Sequence, residues 1–189
     1  MMVDRRAAVR ALLAERGGLI TVAGLGGTAW DVAAAGDCDL DLPLWGSMGA
    51  AAMVGLGIAL AQPTRPVLVV TGDGEQLMAL GALAAIAAVA PPNLTIAVLD
   101  NERYGETGAQ PTHTGLGTDL AAVAAACGFA ESRTIRDLQG VEELRDALHG
   151  LGSPRFAAIK ISPDRPPLVL PPRDGPLLAR RLRGALGLS

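Results

Sequence analysis

Residues 67–74, VLVVTGDG, decide how this chain folds. The run 67–71 is aliphatic and β-branched without polar alternation, the pattern of a strand covered on both faces, as in a parallel sheet. Gly72-Asp73-Gly74 then breaks the run, and a helix is predicted to follow through Met78, Leu80 and Leu83. A second apolar run, 94–99, ends in Asp100-Asn101 and completes a strand–helix–strand unit. Working outward, runs of the same kind stand at 19–23 and 156–161, separated by Ala-rich helical stretches. The alternation predicts an α/β three-layer sandwich, a mainly parallel sheet with helices on both faces. Ahead of it, Asp4 is placed to cap a helix carrying Ala8, Val9, Leu12 and Leu13 on one face, with Gly17-Gly18 to end it. Residues 163–176, rich in Pro and Arg, read as an extended connection to a last helix over about 177–186. The expected organisation is one domain over 1–162, followed by a proline-rich connection and helix over 163–189.

Composition narrows the partners. Of 189 residues 50% are hydrophobic but only 3% aromatic, so the core must rest on small aliphatic side chains and close backbone approach. A formal net charge of −3, with no run of Lys or Arg, leaves no cationic face for a nucleic-acid backbone. Cys38 and Cys127 lack metal-ligand spacing and read as reduced core thiols. Residues 1–16 have scattered charges and no continuous apolar stretch of a signal peptide, and the apolar-rich stretches 48–61 and 78–90 are too short to span a bilayer. The expectation is a cytoplasmic protein without a membrane partner.

Two glycine turns compete as the binding site. The first, GLGGTA at 24–29, follows a predicted strand, opens a helix and has the G-x-G-x-x-G/A form of a dinucleotide site, although no acidic residue closes a second strand. The second is the Gly-Asp-Gly at 72–74. Asp73 is expected at the exposed carboxyl end of a strand and before a helix N-terminus, where N–H groups and the helix dipole favour an anion. Asn101 emerges from the same sheet edge. A carboxylate, an amide oxygen and a backbone carbonyl are hard ligands suited to magnesium, with phosphate oxygens and water completing an octahedron.

The segment 72–101, GDGEQLMALGALAAIAAVAPPNLTIAVLDN, resembles the signature of thiamin diphosphate enzymes, in which GDG is followed by a helix, a strand and Asn. WGSMGAAAMVGLGIALA upstream and NERYGETGAQPTHTG downstream resemble sulfopyruvate decarboxylase β subunits and the C-terminal domain of phosphonopyruvate decarboxylases. The resemblance covers about residues 19–161 and implies thiamin diphosphate and Mg2+ as cofactors. It implies Asp73, Asn101 and the backbone carbonyl of Arg103 as metal ligands, with Gly72, Gly74, Glu75, Tyr104 and Thr28 around the diphosphate. It further implies that the Gly46 carbonyl accepts from the aminopyrimidine, with Ser47 beside it and Met48 as the wedge that holds the cofactor bent. His113 becomes a candidate catalytic proton donor. Spacing alone would instead make Met48 a core residue and His113 a solvent-facing loop residue. Glu75 departs from the resemblance, because a serine hydroxyl is common there and a carboxylate would repel phosphate unless only its N–H is used.

In such enzymes a separate pyrimidine-binding domain of similar size activates the cofactor, and this chain has no room for one. The resemblance therefore implies half an enzyme, the diphosphate-binding subunit of a 2-oxo acid decarboxylase in an α2β2 or larger hetero-oligomer. A carboligase subunit of the acetolactate-synthase type shares the chemistry. A non-catalytic nucleotide-binding module would instead use residues 24–29 and keep Asp73 only for structure.

Overall fold

The computed structural model describes residues 2–188. Along the chain lie α1 (Arg5–Leu12), β1 (Ile20–Ala23), α2 (Gly27–Ala34), β2 (Asp41–Pro43), α3 (Ala51–Ala61), β3 (Val67–Gly72), α4 (Asp73–Met78) and α5 (Leu80–Val89). They are followed by β4 (Leu94–Asp100), the short β5 (Arg103–Tyr104) and β6 (Gln110–Pro111), a 3-10 turn at His113–Leu116, α6 (Leu120–Cys127), β7 (Glu131–Ile135), α7 (Leu138–Ala147), β8 (Arg155–Lys160) and α8 (Gly175–Ala185). Six strands form one sheet in the order β2-β1-β3-β4-β8-β7, parallel at every pairing, while β5 and β6 make a separate antiparallel ribbon.

All four apolar runs picked from the sequence are strands, and β1, β3 and β4 are buried along almost their whole length. The two edge strands, β2 and β7, were not foreseen. β7 alternates exposed with half-buried residues, so it carries no apolar run to read. A second difference concerns the helix after Gly-Asp-Gly, which is two helices. Ala79, at φ −122° and ψ 39°, leaves the helical region and separates α4 from α5. The last helix begins at Gly175, two residues ahead of expectation, with Pro176 in its first turn and Asp174 accepting from the Leu177 N–H.

Side chains of successive strand residues separate into two cores, one on each sheet face. Val67, Val69, Ile96 and Val98 pack with Leu56, Leu83, Ile86 and Leu120 from α3, α5 and α6. On the other face Leu68, Val70, Ala97 and Leu99 pack with Val9, Leu12, Val32 and Leu144 from α1, α2 and α7. Asp4 caps α1 by accepting from the Ala7 N–H at 2.7 Å, as its position ahead of the apolar face implied. Cys38 and Cys127 are free and half-buried.

With so few aromatic rings, helices approach the sheet closely. The extreme is Gly55 in α3, where an added Cβ would come within 2.2 Å of the Val69 Cγ2. Gly57, two residues beyond in the same helix, has open space around it. Gly55→Ala should therefore cost about 1–3 kcal/mol by overpacking. Gly57→Ala should be neutral or stabilise by up to about 1 kcal/mol, through helix propensity alone. Urea unfolding of the two variants measures the difference.

Candidate functional site

The order of the sheet places β1 and β3 side by side, so the two glycine turns that compete in the sequence are neighbours at one carboxyl edge. They line a single cleft of about 670 Å³, with Leu25, Gly27 and Thr28 on one side and residues 72–75 on the other. Of the candidate residues, Thr28, Met48, Gly72, Asp73, Gly74, Glu75, Asn101, Arg103 and Tyr104 line this cleft. Gly46, Ser47 and His113 are exposed and stand outside its lining. The His113 Nδ1 is 3.3 Å from the Tyr104 hydroxyl, which ties that histidine to the loop on the rim.

Backbone donors converge here. Gly27, Thr28 and Ala29 open α2, and Asp73, Gly74 and Glu75 open α4, so none of their N–H groups has a partner within its own helix. Neither helix has a side-chain cap. The Thr28 hydroxyl donates instead to the Gly24 carbonyl at 2.7 Å, which leaves the backbone N–H of Thr28 as its donor toward the cleft. The Tyr104 ring lies against Gly74, since a Cβ there would come within 2.7 Å of it. The second glycine of the motif is thus required by close approach.

Asp73 is not at an exposed strand end, as the sequence suggested, but is buried at 2% exposure. Its Oδ2 accepts from the Thr112 hydroxyl at 2.5 Å and lies 3.2 Å from that of Thr114. Thr114 Oγ1 is also 2.8 Å from Asp100 Oδ1, and Asp100 pairs with Lys160 at 2.7 Å. Lys160 bonds Glu102 as well, at 2.8 Å. Burial opposes the charge on Lys160, yet Asp100 and Glu102 more than offset it, and its pKa ends above the ordinary lysine value. Burial, reinforced by the charge of Asp100, pushes Asp73 up to about 6 against the threonine bonds.

Both threonine hydroxyls fall on Oδ2, so Oδ1 is spared by them. Asn101 Oδ1 accepts from the Arg103 N–H at 3.0 Å, across Glu102 in a left-handed conformation at φ 59°. That turn presents an amide oxygen and a following carbonyl at the edge where Asp73 lies. Among the described residues no group of three or more His, Cys, Asp or Glu is assembled for a metal. One carboxylate with neutral oxygens fits a cation that takes its remaining ligands from phosphate and water.

Glu75 is also placed differently from expectation. Its carboxylate does not stand free to repel an anion: Oε2 accepts from the Thr71 hydroxyl at 2.8 Å, and Oε1 from the Gly49 N–H at 3.2 Å. Thr112, Thr114 and Lys160 escaped the sequence reading. Lys160, the only lysine of the chain and set at the end of the apolar run FAAI, was the available signal.

The proline-rich connection forms a further wall, with Pro163, Arg165, Pro166 and Leu168 lining the cleft. It is held by Arg6, which donates to the Pro167 carbonyl, and by the Trp45 indole N–H, 2.7 Å from the Pro172 carbonyl. Arg173 stacks over the Trp45 ring at 4.6 Å.

A parallel α/β sheet whose adjacent strand ends carry two anion-receiving turns and a hard-oxygen cation site defines a class of phosphate- and metal-binding domain. Residues 37–161 match the family model of the thiamine pyrophosphate enzyme C-terminal TPP binding domain, and the chain belongs to that family. It is 42% identical over 177 residues to phosphonopyruvate decarboxylase of Streptomyces hygroscopicus, covering 93% of this chain and 41% of that protein. The chain thus spans about two fifths of that relative's length. It is 36% identical over 163 residues to the sulfopyruvate decarboxylase subunit beta of Methanothermobacter thermautotrophicus, covering 86% of this chain and 84% of that one. Among solved structures, benzoylformate decarboxylase of Polynucleobacter necessarius superposes with a TM-score of 0.69 at 20% identity, over 86% of this chain and 34% of the other. A thiamin diphosphate-dependent enzyme from Mycobacterium smegmatis gives 0.71 at 21%, over 86% and 32%.

Because Asp73 holds its proton up to about pH 6, a cation at Oδ1 competes with that proton, and Mg2+-dependent cofactor affinity should rise as pH increases through this value. The metal-free chain should respond oppositely, losing stability as pH rises through about 6, since the raised pKa favours the protonated native state. Asp73→Asn should remove the part of both pH dependences that belongs to this carboxylate and so flatten them, while Asp31, Asp41 and Glu75, also raised by burial, keep theirs. Calorimetric titration and denaturant melts on either side of that pH check the two signs.

Proposed function

We propose that this chain is the diphosphate- and magnesium-binding subunit of a split thiamin diphosphate-dependent 2-oxo acid decarboxylase. The observation that carries the reading is the meeting of both glycine turns with Asp73 and Asn101 in one cleft. The similarity in extent to a subunit named beta, of which the chain covers 84%, supports the division between two polypeptides.

In this reading Asp73, the Asn101 side chain and the Arg103 carbonyl hold Mg2+. The N–H groups opening α2 and α4 receive the diphosphate, where the ends of the two helices carry positive partial charge. Thiamin diphosphate supplies the electron sink on which a 2-oxo acid loses carbon dioxide. The residues around it bind, orient and exclude water. Met48, 37% exposed at the cleft, would support the bound cofactor from below, and the Gly46 carbonyl would accept from its amino group. Tyr104 packs over Gly74, and His113, 3.3 Å from the Tyr104 hydroxyl, would hold a proton for the reacting carbon.

The second polypeptide covers the pyrimidine end. In support, apolar side chains stay exposed on the helices beside Met48, with Met53 and Leu60 on α3 and Met78 ending α4 at 63% exposure. α3 and α5 are apolar around their whole circumference, a composition that calls for cover on both sides.

The chain alone should release no carbon dioxide from a 2-oxo acid, and activity should appear on adding a pyrimidine-binding subunit of similar length. Decarboxylation by the isolated chain at an ordinary enzymatic rate would overturn the split. Asn101→Ala should weaken Mg2+-dependent cofactor binding by about 10-fold or more. Met48→Ala should leave that binding within about threefold while lowering kcat of the assembled enzyme, because it disturbs only orientation.

A further inference from the structure

Glu75 is buried at 6% exposure, and its carboxylate joins three separate segments. Thr71 at the end of β3 donates to Oε2, and the Gly49 N–H ahead of α3 donates to Oε1. The backbone N–H groups of Ala51 and of Leu25, in the first glycine turn, also interact with it. Gly24 is shaped around this carboxylate, since a Cβ there would lie 1.9 Å from Oε2. A serine at this position is too short to span from α4 to Gly49.

What the carboxylate touches explains its value. α3 is capped by Ala50, whose side chain makes no capping bond, so the first N–H groups of an 11-residue helix lack a local acceptor. Immediately before it runs the turn that carries Gly46 and Met48, where Ser47 has a left-handed φ of 60° and Gly49 a φ of 94°. For serine such a conformation is strained and persists only where neighbouring structure holds it. A negative charge at the N-terminus of α3 is the arrangement the helix dipole favours.

We propose that Glu75 is a positioning residue that caps α3 from a different helix and thereby fixes the strained turn bearing Gly46 and Met48. The role rests on the reading of these two residues given above, but the clasp itself belongs to the chain without cofactor. Glu75 also borders the first glycine turn, where Gly24 leaves room for Oε2 and the Leu25 N–H adds a weaker attraction, so both ends of the cofactor site meet at one side chain.

Hydrogen exchange of the full chain, read by mass spectrometry on peptides covering 47–52, tests the clasp. Glu75→Gln, which keeps the volume, and Glu75→Ser should each speed exchange there about five- to tenfold, the loss expected of a helix cap, with peptides of β4 unchanged. Gly24→Ala, which drives a methyl group into the carboxylate, should give the same acceleration alone but add little in the Glu75→Ser background. In the enzyme assembled with its partner, Glu75→Gln should lower kcat about 10-fold with KM for the 2-oxo acid within about threefold. Unchanged exchange at 47–52 in both Glu75 variants, or full additivity of Gly24→Ala with Glu75→Ser, overturns the clasp. Faster exchange with unchanged kcat overturns the positioning role. Failure of the unaltered chain to bind thiamin diphosphate with Mg2+ overturns the reading of the site and the positioning role with it, while the exchange result still decides the clasp.

Discussion

A carboxylate held at 2% exposure is the constraint around which this structure is arranged. Asp73 sits at the end of β3 because the cleft needs a charged oxygen there, and the sheet offers it no water in exchange. Its compensation comes from far along the chain, from Thr112 and Thr114 on the 3-10 turn. The Thr114 hydroxyl also reaches Asp100 at 1% exposure, which would repel Asp73 were it not paired to Lys160 from the next strand. Three neighbouring strand ends and one turn are thereby locked by a single polar chain, and removing any member would strand another buried charge.

The other half of the architecture is economy of side-chain volume. Alanine, glycine and valine bring helices close enough that backbone meets side chain directly, as at Gly55 over Val69 and Gly74 under Tyr104. Such contacts tolerate little enlargement, which gives the cleft rigid walls with little packing of ring on ring. Phe129 and Phe156, 6.0 Å apart edge to face, are the exception among the described residues.

Much of this was legible in advance, for physical reasons. Strands buried on both faces are written as unbroken aliphatic runs, so β1, β3, β4 and β8 could be read directly. A motif in which strand, turn and helix follow in register placed Asp73 and Asn101 at one edge. The edge strands β2 and β7 were not legible, because a strand with one neighbour and partial exposure needs no apolar run. The environment of Asp73 was misjudged because its burial is made by the 3-10 turn, which carries no periodic signal. Glu75 was read as an obstacle to phosphate, since nothing local reveals that its acceptors' partners lie in segments near residues 25 and 49. Side-chain direction at a turn is a tertiary property.

The order of the strands has a consequence for how the chain is made. β8 lies between β4 and β7, so β7 has no pairing partner until the final strand has left the ribosome and entered the gap. Until then β4 presents an open, largely apolar edge, and α6, β7 and α7 wait beside it without a sheet to join. Parallel pairing across such a sequence distance forms slowly. Vectorial synthesis therefore seals the sheet only when β8 emerges, and a nascent chain stalled before about residue 155 would hold the very surface that invites aggregation.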